Sequence, residues 1–412
     1  MLPPMMRALF GLLALSLCAC SGDDDKAGGG GAGGSAGSAG SAGSAGTGAA
    51  AGSGGTSGSG GSDAGSDAGG KSVTYVYVGS SKAVPNNIDV FTLDTTSGKL
   101  TALGPSTSGG TASFMALHPT LDVLYVADTQ LSEAIAFSLD RSSGALAPLG
   151  NVGLSGAPVY FSVDKPGNHL LAAYYGAGKA DVVSLKSDGA LNAVTDTQSP
   201  GEKSHAIVVD PSGAYVFVPN NGANTISQYK YDSTTGKLTA NTPSSVVTTD
   251  GPRHLDFHPS KNFAFVMNEQ GNSMTAYAFD AAKGTLTAIE TEATLPSSVS
   301  TPSTGADVHV HPNGKFVYGS NRSDAESTLV IFSIDQSSGE LTLVGHEPTR
   351  GAHPRNFEID PSGKVLLVAN RDSDNVVTFL IDDATGKLTY VEEQTVADAP
   401  FFVGAYRFSL PL

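Results

Sequence analysis

A Gly-x-Leu tripeptide recurs seven times within residues 73–412 of this chain, beginning at Gly98, Gly144, Gly189, Gly236, Gly284, Gly339 and Gly386. The intervals are 46, 45, 47, 48, 55 and 47 residues. From residue 73 onward the chain is therefore an array of similar units, which restricts it to repeat architectures. The stretch 253–289 shows what one unit contains. His254–Phe257 reads as a first strand, and His258-Pro259-Ser260-Lys261 as a turn whose Pro fixes φ. Phe263–Met267 and Met274–Phe279 read as the second and third strands, Asp280–Gly284 as a turn, and Leu286–Ile289 as the fourth strand. No stretch carries helical periodicity over ten residues. Four-stranded units at this period, with no helices between them, indicate a seven-bladed β-propeller rather than a solenoid or a β-sandwich.

The first unit begins late. Tyr75–Gly79 matches the second strand of the other units, so its first strand is missing. The strand-like segment 401–408 at the C-terminus is expected to supply it, closing the ring without an open edge.

The residues before the array are of two kinds. Residues 1–20 contain one charge, Arg7, followed by an apolar run Ala8–Ala19 that is too short to span a bilayer. The run ends in Leu17-Cys18-Ala19-Cys20, which resembles a bacterial lipoprotein signal. Cys20 fits the lipidated position better than Cys18, because Ala19 supplies the small residue before the cut. Ser21 suits the outer membrane. Residues 21–72 are a tether. Most of this segment is Gly, Ser, Ala and Asp, which cannot bury enough surface to offset the entropy of ordering. A Gly-rich coil of about 45 residues spans roughly 35–40 Å. The expected protein is thus a propeller, residues 73–412, anchored in the cell envelope and facing the periplasm or the outside.

Both cysteines lie in the signal, so the mature domain has no disulfide or thiolate site and depends on its core. The net charge of −16, with no basic stretch, argues against a nucleic-acid partner. It does not exclude a small anionic ligand, since a local arginine cluster can oppose the global field.

The repeat locates a candidate site. Six units carry His or Asp at the turn between strands one and two: His118, Asp164, Asp210, His258, His311 and Asp360. The three histidines, interchangeable with Asp, read as turn residues. Five residues earlier stand Ser113, Val159, His205, Arg253, Ala306 and Arg355. Eleven residues after the turn stand Thr129, Asn221, Glu269, Arg322 and Arg371, with one unit taken as shifted by an inserted Lys165. Strands one and two form an antiparallel hairpin, so both sets end at one edge of the blade. The first strand lines the channel, and both sets should ring one solvated mouth. Only seven arginines follow the signal, and four of them fall at these positions. Arg371 reads as a solvated charge beside Asp372 and Asp374. His205, Arg253 and Glu269 read as functional.

These residues carry a resemblance. Gly251-Pro252-Arg253-His254, Phe257-His258-Pro259, Asn268-Glu269, Ser204-His205, Ser320-Asn321-Arg322 and Pro354-Arg355 are similar to motifs of the seven-bladed propeller lactonases. That family includes one type of 6-phosphogluconolactonase and a fungal carboxymuconate cycloisomerase. The resemblance implies a His, two Arg and a Glu in the site. They fall on His205, Arg253, Glu269 and either Arg322 or Arg355. The chain departs from the pattern at Lys203, where a His is common, and at Asn220 and Asn224, where Asp is common. The chemistry so implied is lactone opening: His205 as base with a pKa near neutrality, Arg253 polarising the carbonyl, Glu269 orienting Arg253 or His205, and Arg322 or Arg355 holding a carboxylate. No metal or cofactor is expected, the substrate is a lactone or sugar acid, and the domain is read as a monomer. The competing reading is a non-catalytic envelope propeller binding an anionic ligand or a protein. The segments Leu124–Asp128 and Leu367–Asn370 also resemble surface proteins with Tyr-Val-Thr-Asn repeats.

Replacing Cys20 with Ser is expected to abolish labelling of the expressed protein by a radioactive fatty acid, whereas Cys18→Ser retains it. Label that persists on the Cys20 variant contradicts the assignment.

Overall fold

The computed structural model describes residues 71–82, 87–299, 302–323 and 326–410. The expected signal with Cys20, and the tether as far as residue 70, lie outside these residues. The remainder is all-β. Seven four-stranded antiparallel sheets follow one another along the chain, and the single turn Arg371–Ser373 is the only helical element among the described residues. The unit at residues 252–293 has strands Pro252–Phe257, Phe263–Asn268, Ser273–Asp280 and Thr285–Ala293. Its fourth strand runs past Ile289 because the outer strand is largely exposed and polar, so hydrophobic alternation does not mark its end.

Closure occurs where expected. Pro400–Ser409 pairs antiparallel with Ser72–Ser80, from Ser72 opposite Ser409 to Ser80 opposite Pro400. The first blade is therefore built from both ends of the chain, and its inner strand is the C-terminal one.

The landmark glycines explain why the repeat is visible. All seven adopt φ between +65° and +82°, which a side chain disfavours. Each also abuts a neighbouring blade: a Cβ on Gly144 would lie 2.7 Å from the Tyr75 ring, and one on Gly386 2.6 Å from Phe316. Three of them accept a tyrosine hydrogen bond across the same seam, from Tyr77 Oη to Gly144 O (2.8 Å), Tyr125 Oη to Gly189 O (2.7 Å) and Tyr318 Oη to Gly386 O (2.7 Å). The motif is thus an inter-blade contact.

The turn histidines join blades as well. His258 Nδ1 accepts from the N–H groups of Ser260 (3.1 Å) and Lys261 (3.0 Å), which leaves the proton on Nε2 to be donated to Gly314 O of the next blade (2.8 Å). His118 and His311 repeat this toward Gly167 and Gly363. In Asp210 and Asp360 the carboxylate caps the same turn through its own backbone N–H groups.

His258→Ala is expected to cost about 1–2 kcal/mol of stability through the lost cap and inter-blade bond, while leaving turnover unchanged. Burial holds His118 and His258 below the usual histidine pKa, and their bonding requires the neutral ring. The unfolded chain therefore binds protons more readily. The stability these residues contribute is complete above about pH 6.5 and is lost as pH falls through their folded pKa values. Chemical denaturation from pH 7.5 to 5 should show this decline, with a shallower slope in His258→Ala. An equal slope in the variant contradicts the assignment.

Candidate active site at the channel mouth

The first strand of each blade lines the channel, and backbone irregularities aim its first residues inward. Pro252 pairs with Asn268 and His254 with Met267, so Arg253 is an extra residue on the inner strand. Arg355 is likewise extra between Pro354 (opposite Asn370) and Asn356 (opposite Ala369). In the sixth blade Ala306 and Asp307 face one residue, between the pairs Gly305–Asn321 and Val308–Gly319. In the fourth, residues 205–207 face two, between Ser204–Asn220 and Val208–Phe217. A β-bulge of this kind re-aims a side chain without lengthening the partner strand. Phe401 holds the same slot in the first blade, between Pro400 and Phe402.

These slots, with the ends of the second strands, form one cluster. Glu269 is its single buried carboxylate and pairs with Arg322 Nη2 through Oε1. Its Oε2 accepts from Asn221 Nδ2 (2.9 Å) and lies 3.8 Å from Arg253 Nε. Arg253 Nη1 donates to Ala306 O (2.7 Å), and Arg322 Nη2 also donates to Gly305 O (3.0 Å). Arg355 is half-buried, with its guanidinium 4.6 Å from the Phe401 ring. His205 is wedged edge-on between Tyr175 (5.4 Å between ring centres) and His254 (5.1 Å).

Two expectations about this mouth need correction. His205 and Arg253 are each only 2% exposed, so the ring is not solvated there, and truncating Arg253 removes buried contacts. Nor does His205 sit near neutral pKa. Burial, and then the charges of Arg253, His254 and Arg355, hold it well below the usual histidine value. Burial and Arg322 together lower Arg253 to about 10. Burial, Arg253 and Arg322 push Arg355 well below the usual guanidinium range. Burial alone would raise Glu269, but Arg322 and Arg253 more than reverse this, leaving it below the ordinary carboxyl range. Glu269 therefore faces the arginines and Asn221. The mouth carries buried donor or acceptor atoms without a hydrogen-bond partner among the described residues, at His205 Nδ1, Arg253 Nε and Arg322 Nε. Arg371 belongs elsewhere, pairing with Asp372 and His353.

Lys165 is not an insertion. Asp164 N bonds His169 O as His258 N bonds Phe263 O, five residues on in both, so the turns are equal in length and only the Pro is displaced. Tyr175 therefore occupies the slot of Glu269 in the third blade, and it supports His205. Sequence reading also passed over the channel beneath the mouth. Its narrow cavity is lined by Phe114, Tyr160 and Phe402 on one side and by His254, Asp256, Asp307, His309, Asn356 and Glu358 on the other. These lie one and three residues beyond the ring slot, so the signal was polar residues at period two on three successive inner strands. Burial raises Glu358 to about 8, while His309 is lifted to about 10 because the lowering by burial is outweighed by Asp307, Glu358 and Asp256 together. Among the described residues no group of three or more His, Cys, Asp or Glu is arranged to hold a metal.

The model of the family "Lactonase, 7-bladed beta-propeller" matches residues 75–405. The chain belongs to this family. It is 32% identical to a 6-phosphogluconolactonase of Formosa agariphila, over 81% of this chain and all of that one, and 30% identical to that of Bacillus subtilis, over 79% and 97%. Among solved structures, the periplasmic gluconolactonase of Pseudomonas aeruginosa superposes with a TM-score of 0.75 at 25% identity, over 82% of this chain and 99% of that one. Two departures of this lactonase propeller from the family pattern are structural. Asn220 bonds Ser204, Thr225 and Ser227 within its hairpin, and Asn224 Oδ1 accepts from Gly251 N. The third, Lys203, lies with Nζ 5.2 Å from the Tyr175 ring.

Proposed function

We propose that this protein opens a sugar lactone, or a related cyclic ester, at the mouth formed by His205, Arg253 and Glu269. The observation that carries the reading is the convergence of Arg253 and Arg322 on Glu269, with Arg355 close by, beside the buried His205. Water is the nucleophile. Neutral His205 takes its proton as the water oxygen bonds the lactone carbonyl carbon, and Arg253 stabilises the oxyanion. Collapse of the intermediate breaks the ring C–O bond, and His205 returns the proton to the leaving alkoxide. The products are a hydroxyl and a carboxylic acid, which releases its remaining water-derived proton to solvent as a carboxylate. Glu269 holds Arg322 and draws Arg253 into place. Arg355 is the cation available to an anionic group of the substrate, because Glu269 and Gly305 already engage Arg322. An anion bound there offsets the positive field on His205 and raises its basicity.

We also propose that the domain works outside the cytoplasm, tethered through Cys20. Leu17–Cys20 supports this, as does likeness to a periplasmic gluconolactonase. The low basicity of His205 favours a second reading, a propeller that holds a sugar acid without reacting.

The test is turnover of a panel of sugar lactones by residues 71–412. His205→Gln and Arg253→Lys are expected to lose at least about a hundredfold in kcat while remaining folded by melting temperature. Arg355→Gln removes a positive charge that lowers the His205 pKa, so the acid limb of its kcat/KM profile should move to higher pH. Absence of turnover on every lactone leaves the binding reading. Turnover that survives both single substitutions refutes the residue assignment.

A further inference from the structure

His254 and Asp307 lie directly below the mouth and have no part in the reaction as described. Both are buried. Asp307 Oδ1 receives the Nδ1 hydrogen of His254 at 2.6 Å and the Val308 N–H at 2.9 Å. Its Oδ2 lies 2.6 Å from Asn356 Nδ2, 3.3 Å from His309 Nε2 and 3.3 Å from Phe357 N. Five donors on one carboxylate hold it ionised and fixed in rotation. An ionised Asp307 against Nδ1 places the His254 proton there and leaves Nε2 as an acceptor. That Nε2 stands 3.2 Å from Arg253 Nη1. The two hydrogens of Nη1 are then taken by His254 Nε2 and Ala306 O, which fixes the plane of the guanidinium. Burial and the Arg253 charge hold His254 near 4, consistent with a neutral ring. The other ionisable groups around it are His205, Tyr160, His309 and Asp256.

We propose that Asp307 and His254 are positioning residues that lock the guanidinium of Arg253 in its reactive orientation. This rests on the lactonase reading for its catalytic consequence, but not for the restraint itself. The geometry separates two isosteric replacements. The amide of Gln reaches the place of Nε2 and can accept from Arg253, although it abandons Asp307. The amide of Asn reaches the place of Nδ1, keeps Asp307 and leaves Arg253 Nη1 with Ala306 O alone.

The first measurement is arginine side-chain nitrogen NMR on the isotopically labelled propeller domain. Separate Nη1 and Nη2 resonances for Arg253, marking restricted rotation, are expected in wild type and in His254→Gln. They should merge in His254→Asn. The His254 nitrogen shifts should report the Nδ1-protonated tautomer in wild type and its loss in Asp307→Asn. The second measurement is lactone turnover. His254→Asn should lose about tenfold or more in kcat with KM within about threefold, the scale of a misoriented catalytic group, and His254→Gln should recover most of it. Residues serving only the fold would lower the melting temperature in both variants without this asymmetry. Arg253 that stays restrained in His254→Asn, or equal loss of kcat in both variants, overturns the proposal. If no lactone is turned over but the resonances follow this pattern, the positioning stands and the lactonase reading alone falls.

Discussion

Antiparallel pairing of Pro400–Ser409 with Ser72–Ser80 brings the two ends of the described domain into one sheet. Closure removes the exposed edges that an open array of four-stranded sheets would present. It also holds seven inner strands around a common channel, so residues from the fourth, fifth, sixth and seventh blades can meet at one mouth. The seams between blades carry the rest of the constraint. The landmark glycines, the tyrosine hydroxyls above their carbonyls and the Nε2 bonds of the turn histidines all cross from one blade to the next. A site assembled from four blades is only as well placed as these seams allow.

The mouth itself works against stability. Arg253 and Arg322 are almost fully buried and share Glu269, with half-buried Arg355 nearby. Removing such charges from water costs more than a single ion pair returns. The depressed pKa values of Arg253 and Arg355 express that cost. So do the buried Nε atoms of Arg253 and Arg322 and Nδ1 of His205, which have no hydrogen-bond partner among the described residues. An arrangement of this kind persists where it serves binding or chemistry. In the proposed reaction, an anion bound at the arginines relieves their mutual repulsion and raises the basicity of His205.

Much of this was legible in the sequence because repetition turns each unit into a control for the others. Comparing units separated the turn histidines from His205, and it placed Arg253, Glu269, Arg322 and Arg355 on one ring. Closure was legible from the missing strand ahead of Tyr75. What escaped was set by register. Tyr175 was missed because the Pro displaced by Lys165 imitates an insertion, and only the backbone bond from Asp164 to His169 shows the turn unchanged. The bulges at Arg253 and Arg355 leave no mark in composition. Burial at the mouth was missed because polar residues at strand ends read as solvated, whereas here four blades shield them. That Glu269 pairs with Arg322 rather than with Arg355 could not be read from spacing, which places both arginines on the same ring.

The central claim is that the arginines stand ready for an anion whose arrival raises the basicity of His205. Calorimetric titration with gluconate, the ring-opened product, in buffers of differing ionisation enthalpy near pH 6 measures binding and proton uptake together. The account predicts that wild type binds gluconate with net uptake of protons, and that Arg355→Gln binds it more weakly and with less uptake. Binding of equal strength in both proteins without proton uptake would contradict it.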